Sequence, residues 1–269
     1  MVLPIGDINP AHRTALIMGA IALINLGVFV LLQAPLTGCE QQLFVYRWAA
    51  IPREITTWQP LSSGELEQLM GSCAASVPDK SIGLSLVTSM FLHGGLGHLL
   101  GNLIYLVVFG NNVEDRLGHL RFVLFYLLGG AVATLAYAVV RPASLTPLVG
   151  ASGGIAAILG AYLICYPRAR VLALVPFPLY LVAVVLPGIR IRSWWVIVAV
   201  VTMPAWLLLG GWFVLQWTSA RSPVGDAIAY EAHVGGFLAG IVLVLVLDAW
   251  RRRHGEQPFH PTRPQTPRR

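Results

Sequence analysis

Apolar residues along this chain gather in long unbroken runs, and polar residues collect between them. The runs span 14–33, 96–113, 122–140, 148–166, 194–217 and 227–249. Each is close to the roughly 20 residues that an α-helix needs to cross a bilayer core. The pattern therefore predicts six membrane-spanning helices. The run at 14–33 is a full span long and has no small-residue cleavage site, so it reads as a retained helix and not a signal peptide. Residues 82–93 form an uncharged lead-in to the second span, separated from it by Gly94-Gly95.

The segments between the runs differ in kind. Residues 34–83 carry Pro35, Pro52, Pro60, Trp48, Trp58, Cys39 and Cys73 among mixed polar and apolar positions. That predicts a folded or interfacial cap and leaves a Cys39–Cys73 disulfide open. An apolar insertion around 171–193 is interrupted by Pro176, Pro178 and Pro187, which disfavour a straight helix. Arginines flank it on both sides, at 168 and 170 and at 190 and 192. The expectation is a segment that dips into or lies along the membrane and returns to the same face. The predicted layout is an N-terminus at 1–13, a membrane domain at 14–250, and a basic, Pro-rich, disordered tail at 251–269.

Composition sharpens the membrane reading. Of 269 residues, 56% are hydrophobic and only 11% charged, against about 25% charged in soluble domains. The net charge of +6 does not point to nucleic acid, because the arginines lie in the gaps beside the spans. With six spans, thirteen of the eighteen Lys and Arg residues fall on the side that holds both termini. The positive-inside rule then predicts cytoplasmic termini. The cap at 34–83 would face the opposite, oxidising side.

Polar side chains inside spans are costly and mark function. His98 and Asn102 lie in the second span, with His93 just before it; Ser152 lies in the fourth and His233 in the sixth. On the six-span count these three spans run in the same direction. His98, Asn102, Ser152 and His233 all fall in the first third of their spans, hence at similar depth near the outer face. His98 and Asn102 are four apart and share a helix face. Small residues at 152, 156 and 160 and at 232, 236 and 240 form two stripes that would let the fourth and sixth spans pack closely.

This set permits one chemistry. A serine hydroxyl needs a base to take its proton, and His233 suits that role. A tetrahedral intermediate needs donors aimed at its oxyanion, which His98, Asn102 and the Ser152 backbone N–H would supply. Gly150, Gly153 and Gly154 leave room for an extended peptide at Ser152.

With these residues in view, the chain resembles the rhomboid family of intramembrane serine proteases. His93-x4-His98-x3-Asn102, Gly150-Ala-Ser152-Gly153 and Ala232-His233-x2-Gly236-x3-Gly240 match its motifs in order. Glu114-Asp-Arg-Leu-Gly118 fits a further pattern. The resemblance implies an all-α polytopic membrane protein with a six-helix bundle, and a Ser152–His233 dyad without an acidic third member. It assigns His98, Asn102 and Gly150 to oxyanion and substrate binding, and His93, Gly153, Gly236 and Gly240 to structural places near the site. It implies cleavage of transmembrane segments of other proteins, with no metal or cofactor. The partners implied are membrane-protein substrates and the lipid bilayer, not nucleic acid. The implied location is the plasma membrane, a bacterial inner membrane. Three departures stand out. Arg47-Trp48 reverses a Trp-Arg pair found in some members. Ala156 replaces an aromatic that stacks on the histidine. The stretch 171–203 is longer than usual, just before a span often proposed to gate substrate access.

Other readings fit less well. Gly150-Ala-Ser-Gly-Gly154 also matches the nucleophile elbow of α/β-hydrolases, but that motif needs strands and helices in alternation. A zinc site of His93, His98 and His233 lacks a His-Glu-x-x-His motif. A transporter, or a non-proteolytic rhomboid-like binder of transmembrane helices, remains the alternative class.

Overall fold

The computed structural model describes residues 2–9, 11–77, 79–176, 189–194, 198–221 and 228–254. Among the described residues, four helices are long and apolar enough to cross a membrane. The first is α1, Leu16–Gly27, prolonged by a π-helical stretch to Gln33. The others are α6, Leu96–Leu117, α7, His119–Val140, and α10, Tyr230–Arg253. Two shorter helices complete the bundle: α8, Ser152–Cys165, and α9, Ala205–Ser219. Large apolar side chains on the outer faces stay exposed, among them Leu23, Leu31, Leu128, Val139, Val242 and Val246. Exposed apolar side chains on the outer faces of the helices suit lipid contact.

The helix α8 sits at the centre. Every residue from Gly154 to Tyr162 is buried. Its neighbours approach as closely as backbones allow. A Cβ on Gly236 would lie 2.4 Å from the Gly153 carbonyl oxygen. One on Gly160 would lie 2.2 Å from the Phe237 oxygen. On the other side, a Cβ on Gly129 would meet the Ala157 Cβ at 2.4 Å. Without side chains at these positions the helices gain dispersion contacts, which drive association where lipid removes the hydrophobic advantage. Residues 153, 157 and 160 of α8 face 236, 240 and 237 of α10, so the two helices run parallel.

The helix α6 runs parallel to α8 as well. His98 near its start stands beside Gly150, and the Asn112 carbonyl near its end accepts from the Tyr166 hydroxyl at 3.3 Å. Glu114 closes the start of α1, which has no side-chain cap of its own. Its carboxylate accepts from the backbone N–H groups of Ile17 at 2.9 Å and Met18 at 2.6 Å. Unpaired N–H groups at a helix start require such acceptors. Arg141, just past α7, donates to Glu231 in the first turn of α10 at 2.8 and 2.7 Å.

The cap between α1 and α6 is folded. It contains α2, Gly38–Trp48, α3, Pro52–Thr57, α4, Ser63–Met70, and α5, Ile82–Thr88. Tyr46, Ile51, Leu61 and Met70 form a small core of its own. Buried Glu54 pairs with Lys80 and accepts from the Tyr46 hydroxyl at 3.3 Å. Cys39 and Cys73 are joined in a disulfide, with Cα atoms 5.3 Å apart.

The expectation of an all-α fold is corrected. A four-stranded antiparallel sheet, in the order β1-β2-β4-β3, sits at the end of the bundle where α6 and α8 finish. Its strands are β1, Leu3–Asp7, β2, Arg170–Pro176, β3, Arg190–Trp194, and β4, Val198–Pro204. Residues 3–7 of the predicted N-terminus thus form an edge strand of the sheet. The insertion around 171–193 contributes two strands. Arg170 lies opposite Pro204, so the chain leaves and returns at the same end. The insertion's tip, 177–188, lies outside the described residues.

Three boundaries move. The fifth helix starts at Ala205 and not at 194, because the β-branched stretch before it pairs as β4. The fourth starts at Ser152 and not at 148, because Leu148 pairs with Ala50 in an isolated bridge. Residues 251–253 belong to α10, and the predicted disordered tail from 255 onward lies outside the described residues.

Polar contacts lock β1 to the helices. The Tyr162 hydroxyl donates to Asp7 Oδ2 at 2.6 Å, and Asn112 Nδ2 donates to the same oxygen at 2.7 Å. Asn9 Nδ2 donates to Asn112 Oδ1 at 3.0 Å. Burial raises the Asp7 carboxyl above the usual aspartate range, with the Tyr162 hydrogen bond pulling the other way.

Candidate active site

Ser152 is the first residue of α8, half-buried, at the end of the bundle opposite the sheet. Gly150, two residues earlier, has φ +125°, a conformation that side-chain-bearing residues avoid. Its N–H donates to the Ser89 carbonyl at 2.9 Å. A Cβ on Gly150 would stand 2.8 Å from His98 Cε1, 2.9 Å from Nε2 and 3.6 Å from Asn102 Nδ2. Only glycine lets the chain turn here and lets both side chains of α6 close on it.

One long hydrogen bond bears on the tautomer of His98. The Gly94 N–H points at Nδ1 across 3.4 Å, so Nδ1 accepts and Nε2 carries the proton. His98 therefore presents an N–H donor towards Gly150. Asn102 Nδ2 is buried with no hydrogen-bond partner. Buried amide donors are nearly always satisfied, so an exception next to a serine is a marked feature. His93 is fully buried, and its ring meets that of His98 edge-on at 5.3 Å. Its backbone is clamped by the Gln33 side chain, which accepts from the His93 N–H at 3.0 Å and donates to its carbonyl.

His233 lies in the first turn of α10, three residues before Gly236, whose Cα approaches Gly153. That contact brings His233 to the serine end of α8. In place of the aromatic, Ala156 is buried against α10 and puts no ring beside the imidazole. The imidazole is held from α9 instead. Its Nδ1 is 2.8 Å from Gln216 Oε1, and the Trp212 ring lies 6.0 Å away, inclined by 31°. Sequence reasoning missed Gln216. The available signal was a lone amide in an otherwise apolar span.

Beside Ser152 is a cavity of about 10 Å³, lined by Met90, Gly130, Thr134, Gly150 and Ala232. That is about the room for one water. Among the described residues no three His, Cys, Asp or Glu side chains converge as a metal-binding group.

The rhomboid domain, as a sequence profile, matches residues 83–249, well over half of the chain and all of the helices around this site. The chain belongs to the rhomboid family. Rhomboid-related protein 2 of Mus musculus is 34% identical over 122 residues, 45% of this chain and 38% of that protein. The mitochondrial Rhomboid protein 1 of Saccharomyces cerevisiae is 30% identical over 163 residues, 59% of this chain and 40% of that protein. Presenilin-associated rhomboid-like protein A, mitochondrial, of Danio rerio is 29% identical over 160 residues, 59% of this chain and 36% of that protein. This rhomboid thus spans about two fifths of the length of these relatives. Its helices and its family together make it a multi-pass membrane protein.

Proposed function

We propose that this rhomboid is an intramembrane serine endopeptidase with Ser152 as nucleophile and His233 as general base. The observation that carries the reading is the convergence of the partnerless Asn102 amide and the His98 Nε2–H beside Gly150, two residues before a half-buried serine. Preorganised donors of this kind are what a developing oxyanion requires. His233 Nε2 takes the Ser152 proton as Oγ bonds to the scissile carbonyl carbon. The carbonyl oxygen gains the negative charge and receives hydrogen bonds from His98 and Asn102. His233 then returns the proton to the leaving amine, the C–N bond breaks, and an acyl-enzyme forms. Water, deprotonated by His233, hydrolyses that ester and restores the serine.

The substrates are transmembrane segments of other proteins. A helix of 14 residues rises about 21 Å, short of a hydrocarbon core of about 30 Å. This length supports a serine set below the membrane surface, within reach of a partly unwound helix. The six bundle helices are read as six spans, with both termini cytoplasmic in a plasma membrane. Pairing of β1 with β2 puts the N-terminus and the arginine-flanked insertion at one end. The disulfide-bonded cap, at the other end, suits an oxidising space.

The test is fluorophosphonate labelling of the purified protein alongside cleavage of a reporter transmembrane substrate. Both signals are expected from the wild type and neither from Ser152→Ala. Cleavage that survives Ser152→Ala, or that a chelator abolishes, overturns the reading. Cysteine accessibility should place positions 8 and 192 on one side of the membrane and 47 on the other.

A further inference from the structure

We propose that Gln216 is a positioning residue for the base, so that the Ser152–His233 pair works as a serine–histidine–glutamine triad. The inference rests on the protease reading above. Gln216 Oε1 can only accept a hydrogen bond. With Oε1 2.8 Å from His233 Nδ1, the proton of a neutral imidazole sits on Nδ1, and Nε2 is left with its lone pair free. That is the tautomer a general base needs. In serine proteases with an acidic third residue, a carboxylate does the same for the imidazole, and an asparagine amide does it in papain-like enzymes.

Among the described residues, the other groups around the ring are engaged elsewhere or make no hydrogen bond to it. Glu231 is two residues from His233, but Arg141 holds its carboxylate in two contacts. Position 156 carries a buried alanine, which offers no ring to stack on the imidazole. Tyr230 meets the His233 ring edge-on at 6.4 Å, with no hydrogen bond between the two side chains among those described. Trp212 and Gln216, one turn apart on α9, together form the wall that faces the imidazole. Gln216 is itself buried, which strengthens a single amide-to-imidazole bond by keeping water from competing.

The geometry adds a consequence. Ser152 and the oxyanion donors stand on α8 and α6, His233 on α10, and the residue that sets its tautomer on α9. Packing of α9 against α10 is thereby part of how the base is assembled. An amide carries no charge, so the imidazolium formed during turnover is stabilised less than a carboxylate would stabilise it, and no buried charge must be tolerated when the site is empty.

The experiment uses the full chain in proteoliposomes and compares wild type with Gln216→Met, Gln216→Glu and Gln216→Asn. Activity on a reporter transmembrane substrate is measured from pH 5 to 9, and the ring nitrogens of His233 are read by 15N NMR. Thermal unfolding of each variant checks folding. The methionine fills similar space without an acceptor. It is expected to lower kcat about 10- to 100-fold with KM unchanged, and to give a mixture of His233 tautomers. The glutamate keeps an acceptor and adds charge. It is expected to retain activity and to move the acidic limb of the kcat profile to higher pH. Besides residue 216, the titratable groups facing His233 among the described residues are Tyr230 on its own helix and His98 on α6; both are common to all variants. Wild-type kcat together with an unchanged tautomer in Gln216→Met overturns the proposal. If Gln216→Met does not fold, an unmoved acidic limb in Gln216→Glu overturns it instead. A wild type that neither labels with fluorophosphonate nor cleaves overturns the protease reading, and the NMR tautomer of wild type against variant still decides the role of Gln216.

Discussion

Gly240 of α10 rests directly on the Ala157 carbonyl of α8: a Cβ there would stand 2.0 Å from the oxygen. The obstruction is backbone, which has no rotamer by which to yield. Gly240→Ala must therefore push the two helices apart. The expected cost is about 1–3 kcal/mol, the range for overpacking a tight interior. Because Ser152 and His233 stand on the two helices that this interface joins, activity should fall more steeply than the melting temperature. Gly210→Ala, where a Cβ meets nothing within 4 Å, is the matched control and should leave both unchanged.

Asn102→Ala should slow turnover without stopping it. One donor of the proposed oxyanion site is lost, while His98 Nε2–H and the Ser152 N–H remain. Loss of a single such donor costs about 10²–10³ in kcat elsewhere. The amide has no partner in the resting protein, so its removal should leave thermal stability nearly unchanged. Measuring kcat and melting temperature side by side checks both halves; wild-type turnover in the variant would refute the role.

Breaking the Cys39–Cys73 disulfide should loosen the cap before the bundle. It closes a separation of 34 residues, for which chain entropy gives about 4 kcal/mol as an upper figure. A Cys39→Ser, Cys73→Ser variant should become sensitive to proteolysis within 34–83 while α6 to α10 stay protected. Limited proteolysis with mass spectrometry reads this directly.

The anchoring of β1 should depend on pH through Asp7. Its carboxyl is raised above the unfolded value by burial. The folded state therefore binds this proton more tightly than the unfolded state. The stabilisation is full below the ordinary aspartate value and is lost as pH rises through the raised one. Hydrogen-exchange protection of residues 3–7 should fall over that interval. Asp7→Asn, which keeps an acceptor for Tyr162 and Asn112 without the charge, should hold protection flat across it.

The helical spans were readable because membrane crossing imposes one simple requirement, a run of apolar residues of sufficient length. The alternation of spans made the second, fourth and sixth run the same way, and α6, α8 and α10 are parallel. The sheet was hidden for the same reason the spans were visible. Both β2 and β4 are apolar on both faces, so neither shows the two-residue alternation of a half-exposed strand. The β-branched content of 198–202 was the remaining sign. In the site, Ser152, His233, His98 and Asn102 stood out as polar groups in apolar runs. Gln216 belonged with them by that criterion, but its partner lies 17 residues away on another helix, beyond any local pattern.

The sheet also has a temporal consequence. Leu3 pairs with Leu174, and Asp7 with Val171, so β1 is synthesised long before its partner exists. Contacts of such high sequence separation close late and slowly. The α1 helix can insert while β1 waits unpaired. Only after β2 and α8 have emerged does Asp7 find Tyr162. Completion of the sheet therefore waits for β2 and β4, which follow α1, α6, α7 and α8 in the chain and precede α9 and α10.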